Sequence, residues 1–274
     1  MTNDSELMRL ELENQVLAVR AFLAPSPALS MTYGTSLDVI VGLPVATCAA
    51  WDYPLFNRAI GADVLGPLDQ GGIAAIVQHF AATSRPACIE VYPDVTSPVL
   101  LAALAAAGFS DSGHGFESHV LETDRIAEGL VQGVQVRRVV EDEYRHFGEL
   151  VRDGFGMGGD GALGPFFVDL TEVALRRLGA DGAAFVAAVD GVDAGTGQLV
   201  CSEQVAGCYS GSVLEAFRGR GIQKTLIAAR VAEGLARGRR IFISQTDPDS
   251  PSGHNLHDVG FRTLYRATWY MRPA

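Results

Sequence analysis

The chain has 274 residues and a formal net charge of −11, with 48% hydrophobic and 19% charged residues. This balance excludes an intrinsically disordered chain and supplies enough apolar surface for a sizeable core. The acidic charge argues against nucleic acid and anionic membranes as partners, and it is compatible with a cationic small molecule.

The four cysteines are expected to be buried, reduced thiols. Cys48, Cys88, Cys201 and Cys208 form no CxxC pair, and no His stands at zinc-site spacing from them, so no metal is expected. No apolar run approaches the roughly 18 residues that span a bilayer, and the charged N-terminal segment lacks the apolar core of a signal peptide. We therefore expect a cytoplasmic protein that does not enter membranes.

Helices and strands alternate in the first half of the chain. Capping residues at 3–5 and apolar residues at helical spacing predict a helix over residues 4–23, which Pro25 and Pro27 end. Runs rich in β-branched residues predict strands. The further elements are strands over 37–41 and 45–51, a helix over 73–82, a strand over 87–92, a helix over 99–107 and a strand over 116–121.

A linker at 122–132 precedes a second succession of elements. Acidic residues in the first turn favour a helix over 141–155, and the glycines of 154–164 predict a loop or sharp turn. Asp190-Gly191 predicts a hairpin. The other predicted elements are strands over 134–140, 183–189, 196–201, 205–214, 241–244 and 263–271, and helices over 166–178, from 222 onward, and near 253–259.

The two halves repeat one pattern. Residues 87–94 lead through a helix to Gly108-Phe109 and a strand, and residues 241–249 lead through a helix to Gly260-Phe261 and a strand. Strand, Pro-Asp, helix, Gly-Phe and strand at similar spacing indicate a diverged duplication.

The run Arg218-Gly219-Arg220-Gly221 joins a predicted strand to an amphipathic helix. The first turn of a helix has free backbone N–H groups, and the helix dipole places partial positive charge there. Glycines let the backbone approach a ligand and adopt positive φ. This arrangement predicts an anion-binding turn. The P-loop pattern that binds nucleotides is absent from the sequence.

These features resemble the GCN5-related N-acetyltransferase (GNAT) family. Its central motif is an Arg or Gln, two residues, Gly, one residue, then Gly or Ala, and residues 218–223 are similar to it. The order of elements from about Val134 to Met271 matches, and residues 255–261 resemble the family's second CoA-side segment. The first half of the chain matches more weakly.

The resemblance implies an α/β (α+β) fold with two GNAT-like domains, each a mixed, mostly antiparallel sheet flanked by helices. Residues 1–126 would form a degenerate N-terminal copy, and residues 127–274 would form the acyl-CoA-binding copy. A homodimer is compatible with this organisation.

The resemblance also implies an N-acetyltransferase that moves an acetyl group from acetyl-CoA to an amine of a small molecule. The turn would hold the pyrophosphate through backbone N–H groups, with charge added by its basic side chains. The preceding strand would pair with pantetheine. The CoA-binding residues would be Val213, Leu214, Arg218, Gly219, Arg220, Gly221, Ile222, Gln223, Lys224 and Asn255.

Two positions depart from the family pattern. Gln223 stands where the motif has Gly or Ala, which leaves backbone binding possible because an N–H group needs no particular side chain. Leu256 stands where many members have a Tyr that protonates the departing thiolate. An alternative therefore stays open, in which the chain is a catalytically silent CoA-binding module for regulation or interaction.

Three residues are candidates for proton transfer. Glu203 would be the general base, and Tyr209 or Tyr265 the general acid. A solvated hairpin residue and two packed aromatic rings are the simpler explanation of these positions. Residues 58–61 also fit Arg-x-x-Gly, but no helix opens after them, so we interpret them as a chance match or a decayed copy of the motif.

Overall fold

The computed structural model describes residues 2–24, 26–125, 131–159, 161 and 163–273. It contains two compact units. The larger unit comprises Met1–Phe22 and Ser118–Leu264, and the smaller unit comprises Leu23–Glu117 and Tyr265–Ala274. The predicted boundary between residues 126 and 127 lies outside the described residues, so the division into copies 1–126 and 127–274 stays a prediction.

Helices and strands follow one another in an order close to that predicted. The helices are α1 (Asp4–Leu23), α2 (Pro27–Tyr33), α3 (Gln70–Ala82), α4 (Pro98–Ala106), α5 (Tyr144–Gly154), α6 (Leu163–Leu178), α7 (Ile222–Ala236) and α8 (Pro251–Val259). The strands are β1 (Thr35–Ile40), β2 (Leu43–Cys48), β3 (Arg58–Ala59), β4 (Ala87–Val91), β5 (Ser110–Glu122), β6 (Val134–Arg138), β7 (Gly182–Val189), β8 (Val192–Cys201), β9 (Val205–Val213), β10 (Ile241–Thr246) and β11 (Arg262–Arg272).

The sheet of the larger unit has the strand order β10-β9-β8-β7-β6. Its pairs are antiparallel except for β9 and β10, which run parallel. Asp190 and Gly191 connect β7 to β8 with φ values of 52° and 79°. Two successive positive φ values are those of a type I′ turn, so the predicted hairpin is confirmed.

Helices cover both faces of this sheet. On one face, α7 and α8 bury Leu226, Ile227 and Leu256 against the strands. On the opposite face, α5 and α6 pack Phe147 and Leu175 against β7, while α1 packs its own apolar side chains against β9 and β10. These apolar side chains, buried between the helices and the two faces of the sheet, form the core of the unit.

The smaller unit contains the strand order β1-β2-β3-β4-β11. Again one pair is parallel, β3 with β4, and the other pairs are antiparallel. Helices α3 and α4 bury Ile76, Phe80 and Leu104 against its strands. Each unit is therefore a mixed, mostly antiparallel sheet with helices, which confirms the predicted fold class.

Three elements differ from the sequence-based expectations. Helix α2 was not predicted from the sequence. Pro27 occupies its first helical position and the Ser26 hydroxyl accepts a hydrogen bond from the Leu29 N–H, so this proline begins a helix. Strand β3 has only two residues and gives no periodic signal. Strand β5 begins at Ser110 and not at the predicted residue 116, because its polar, glycine-containing start has low β propensity and gives no strand signal in the sequence. No described helix is long and apolar enough to cross a membrane.

Candidate active site

A cleft of about 470 Å³ lies in the larger unit at the N-terminal end of α7. The last residues of β9, the turn before α7 and the first turn of α8 line it. Its volume is in the range of small-molecule sites.

The turn at the floor of this cleft leaves backbone donors free. Gly219 and Gly221 have φ values of 76° and 74°, in the left-handed region that favours glycine. Gly221 is the N-cap of α7 and supplies no side-chain cap. The Thr225 N–H donates to the Gly221 carbonyl at 3.2 Å, and among the described residues the N–H groups of 219–224 have no hydrogen-bond partner. Several donors at a helix N-terminus form an anion site.

The basic side chains of the turn are already engaged. The Arg218 guanidinium donates to the carbonyls of Val213 and Gly154, both at 3.2 Å, and so ties the turn to β9 and α5. Arg220 lies over the Phe217 ring, 5.3 Å from its centroid. The Lys224 ammonium lies 2.6 Å from the Asp258 carboxylate, and this contact lowers the pKa of Asp258. Anion binding therefore depends first on the backbone.

Strand β9 has an open edge beside the turn. Its parallel pairing with β10 ends at Cys208 and Ser244, and β9 continues to Val213. On the other side its register with β8 shifts between Thr196 and Gln198, and Ser210 has a φ of 47°. This shift is a β-bulge, which bends the strand and re-aims its backbone groups. Peptide groups of β9 past Cys208 can therefore pair with an extended ligand.

A polar network joins α7 to α8 across the cleft. The Asn255 amide donates to Gln223 Oε1 at 2.8 Å, and the Gln223 amide donates to the Ser252 hydroxyl at 2.6 Å. Both helix starts are thereby held at the cleft. Gln223, the departure from the family motif, thus acts as a connector, and α7 still begins at Ile222 as the sequence predicts.

Eight of the ten predicted CoA-binding residues line the cleft, whereas Leu214 and Arg220 are not among its lining residues. The structure adds Gly211 and Ser212, which the sequence analysis missed, because they belong to the bulge. Three small residues in a row, Ser210 to Ser212, are the one sequence signal that could have indicated them.

The structure does not bring the three proton-transfer candidates to the described cleft lining. Glu203 is exposed in the turn before β9, at the far end of the strand from Val213, roughly 30 Å away for nine extended residues. The Tyr209 hydroxyl donates to Asn14 Oδ1 at 3.0 Å. Tyr265 is buried edge-on against Tyr92 in the smaller unit. Their catalytic roles stay predictions.

Leu256 is 1% exposed and belongs to the apolar core under α7. This position therefore supplies no acid. Within the described residues, no group of three or more His, Cys, Asp or Glu side chains is placed to hold a metal ion.

The second Arg-x-x-Gly segment is used internally by the smaller unit. Arg58 is 1% exposed, and its Nε lies 2.6 Å from Glu90 Oε2. The Gly61 N–H donates to the Tyr92 hydroxyl at 3.0 Å, and that hydroxyl donates to Glu90 at 2.6 Å. The Arg58 guanidinium and the Gly61 N–H are therefore bonded within the smaller unit.

The chain is similar to known proteins in sequence and in structure. No protein-family model matches the chain. It is 33% identical, over 100 residues, to the aminoglycoside N(6′)-acetyltransferase type 1 of Salmonella typhimurium, covering 33% of this chain and 69% of that enzyme.

Solved structures show the same fold over nearly the whole chain. A GCN5-related N-acetyltransferase from Kribbella flavida aligns with a TM-score of 0.66 at 16% identity, covering 97% of this chain and 95% of that one. A tandem GNAT protein from the clavulanic acid biosynthesis pathway aligns with a TM-score of 0.63 at 18% identity, covering 98% and 95%. The chain belongs to the GCN5-related N-acetyltransferase family and is an acetyltransferase.

Proposed function

We propose that this chain transfers the acetyl group of acetyl-CoA to a primary amine of a small, cationic acceptor. One observation carries the proposal: a single cleft combines the free N–H groups of residues 219–224 with the open edge of β9. The first feature suits a pyrophosphate, and the second suits the amide groups of pantetheine.

Contacts with this chain then place acetyl-CoA and the amine for acyl transfer. With its pyrophosphate at the turn and pantetheine along β9, acetyl-CoA places its thioester near the bulge at Ser210 and Gly211. Backbone N–H groups there polarise the thioester carbonyl. A neutral amine attacks the carbonyl carbon, the carbon–sulfur bond breaks, and CoA leaves as a thiolate while the amine proton passes to solvent. Holding both reactants together supplies much of the rate.

Two observations favour a cationic acceptor such as an aminoglycoside or a polyamine. The chain carries a net charge of −11, which attracts polycations. Its Salmonella relative is by name an aminoglycoside acetyltransferase.

All four cysteines are free and buried, in keeping with the reducing cytoplasm as the place of reaction.

Steady release of CoA thiol from acetyl-CoA tests the activity. We expect turnover with at least one amine from a panel of aminoglycosides, polyamines and amino acids. Tight CoA binding without turnover for every amine would instead favour the silent CoA-binding module.

Gly219 offers a clean test of the anion site, because a side chain there meets nothing within 4 Å. Asn and Asp both tolerate the left-handed region, so Gly219→Asn and Gly219→Asp differ mainly in charge. We expect Gly219→Asp to weaken CoA binding at least tenfold relative to Gly219→Asn, measured by calorimetry, because a carboxylate repels the pyrophosphate. Equal affinities of the two folded variants would contradict the assignment.

A further inference from the structure

A buried arginine lies behind the cleft without a counter-ion. Arg230, on the sheet-facing side of α7, is 2% exposed. Its Nε donates to the Leu226 carbonyl at 3.1 Å and its Nη1 donates to the Tyr209 carbonyl at 3.4 Å. In the part of the chain that the structure describes, no carboxylate lies within ion-pair distance of it. A buried charge is costly unless something compensates it.

A guanidinium stays protonated in proteins at neutral pH, although burial lowers the pKa of Arg230. The titratable side chain that faces it is the Cys208 thiol on β9, with the Cys201 thiol of β8 beyond. Burial raises the pKa of both thiols, so both are neutral. The positive charge therefore has no partner of opposite sign among the residues that the structure describes.

Two glycines, which have no side chains, let the Arg230 guanidinium lie close to the lining of the cleft. A Cβ at Gly197 of β8 would lie 2.9 Å from Arg230 Nε, and a Cβ at Gly211 of β9 would lie 3.5 Å from both Nη atoms. Gly211 lies in the bulge and lines the cleft. Only the backbone of β9 therefore separates the guanidinium from a ligand at the reactive end of the cleft.

The reaction develops negative charge on the CoA sulfur. When the carbon–sulfur bond breaks, its electron pair moves to sulfur, and Leu256 provides no proton for the thiolate. A fixed cation in a poorly hydrated site stabilises such a charge without donating a proton. Its bond to the Tyr209 carbonyl also polarises the peptide group that follows it.

We propose that Arg230 is a positioning residue for acyl transfer: its guanidinium holds the β9 bulge and supplies the positive charge toward which the CoA thiolate departs. The inference rests on the proposed function. It is tested by a property of bound CoA that needs no turnover, so the two can fail separately.

The test measures the pKa of the CoA thiol in the complex, from the ultraviolet absorbance of the thiolate. A complex with desulfo-CoA, which lacks the thiol, corrects for the protein's own cysteines. We expect the thiol of CoA bound to the unaltered chain to be at least tenfold more ionised than free CoA at the same pH, equivalent to about one pKa unit. A bound thiol no more acidic than free CoA would overturn the proposal without any variant.

Variants separate charge from packing. Arg230→Met should remove most of the shift in thiol pKa and lower kcat about tenfold or more, with KM for acetyl-CoA within about twofold. Arg230→Lys keeps the charge and should restore part of the shift. An Arg230→Met variant that folds and retains both the thiol pKa and kcat would exclude the role.

Arg237 is the matched control. It follows the end of α7, and its guanidinium donates to the carbonyls of Ala180 and Gly182 at 2.7 and 3.2 Å. Arg237→Met should lower the unfolding temperature and leave the thiol pKa of bound CoA unchanged. A similar loss of the shift in this variant would show that Arg230 acts only through stability.

Discussion

At the scale of single residues, the proposed anion site consists of free backbone N–H groups, while its basic side chains already bond to other groups of the chain. Lys224, in the first turn of α7, bonds to Asp258 of α8, and both side chains are partly exposed. Exposed ion pairs contribute little to stability, so this pair is easily exchanged for a better anion. If CoA binds as proposed, Asp258 competes with its pyrophosphate for the same ammonium group.

We expect Asp258→Asn to strengthen CoA binding by up to about fivefold, because it releases Lys224 and removes a negative charge near the site. The effect should shrink as salt is added. Calorimetric titration of CoA at two ionic strengths measures both. In a Lys224→Met background the Asp258→Asn change should have a smaller effect, and an equal effect there would show that Lys224 is not involved.

At the scale of the element, α7 combines two tasks. Its N-terminus presents free N–H groups to the cleft, and its apolar stripe holds the helix against the sheet. The fit of that stripe is tight at Gly234, where a Cβ would lie 2.4 Å from Phe242 Cε1 and 3.2 Å from Ala206 Cβ. This close contact holds the C-terminal part of α7 against β10.

Gly234→Ala sets helix propensity against packing. Alanine is favoured over glycine in a helix by about 1 kcal/mol. Overpacking a close contact costs about 1–3 kcal/mol, so we expect a net loss of unfolding free energy in urea titrations. Adding Phe242→Leu should make Gly234→Ala less harmful, because it removes the clashing ring atoms. A stabilised Gly234→Ala single variant would show that the sheet yields easily.

At the scale of the whole molecule, the larger unit is assembled from distant parts of the chain. Leu7 and Leu10 of α1 pack against Val120, Val205 and Ile243. The Asn14 amide of α1 donates to the Val200 carbonyl at 3.1 Å. Helix α1 therefore completes the unit that contains the cleft, although residues 23–117 separate it along the chain from the rest of that unit.

This assembly makes a prediction about fragments. Residues 127–274 alone should not fold stably, because without α1 the apolar surface of β9 and β10 is exposed to water. Circular dichroism and size-exclusion chromatography of the fragment measure this, with the full chain as control. Residues 1–23 supplied as a separate peptide should restore part of the structure. A monomeric, folded fragment that binds CoA as tightly as the full chain would contradict the prediction.

The sequence alone determined the features that depend on neighbours along the chain. The Asp190-Gly191 hairpin, the start of α7 at Ile222 and the glycine turn before it follow from φ preferences, helix periodicity and the free donors of a helix end. These preferences act over a few residues, so their positions could be inferred within a residue or two. Family resemblance extended them to the fold class, and it is the source of the proposed CoA-binding residues.

The tertiary structure decided what depends on residues far apart in sequence. The bulge at Ser210 exists only in the register between β8 and β9. In the sequence, Arg230 is one of several charged residues on a predicted helix. Its burial beside Gly197 and Gly211 results from the packing of α7 on the sheet. Long-range packing sets these positions, and local propensities contain no record of it.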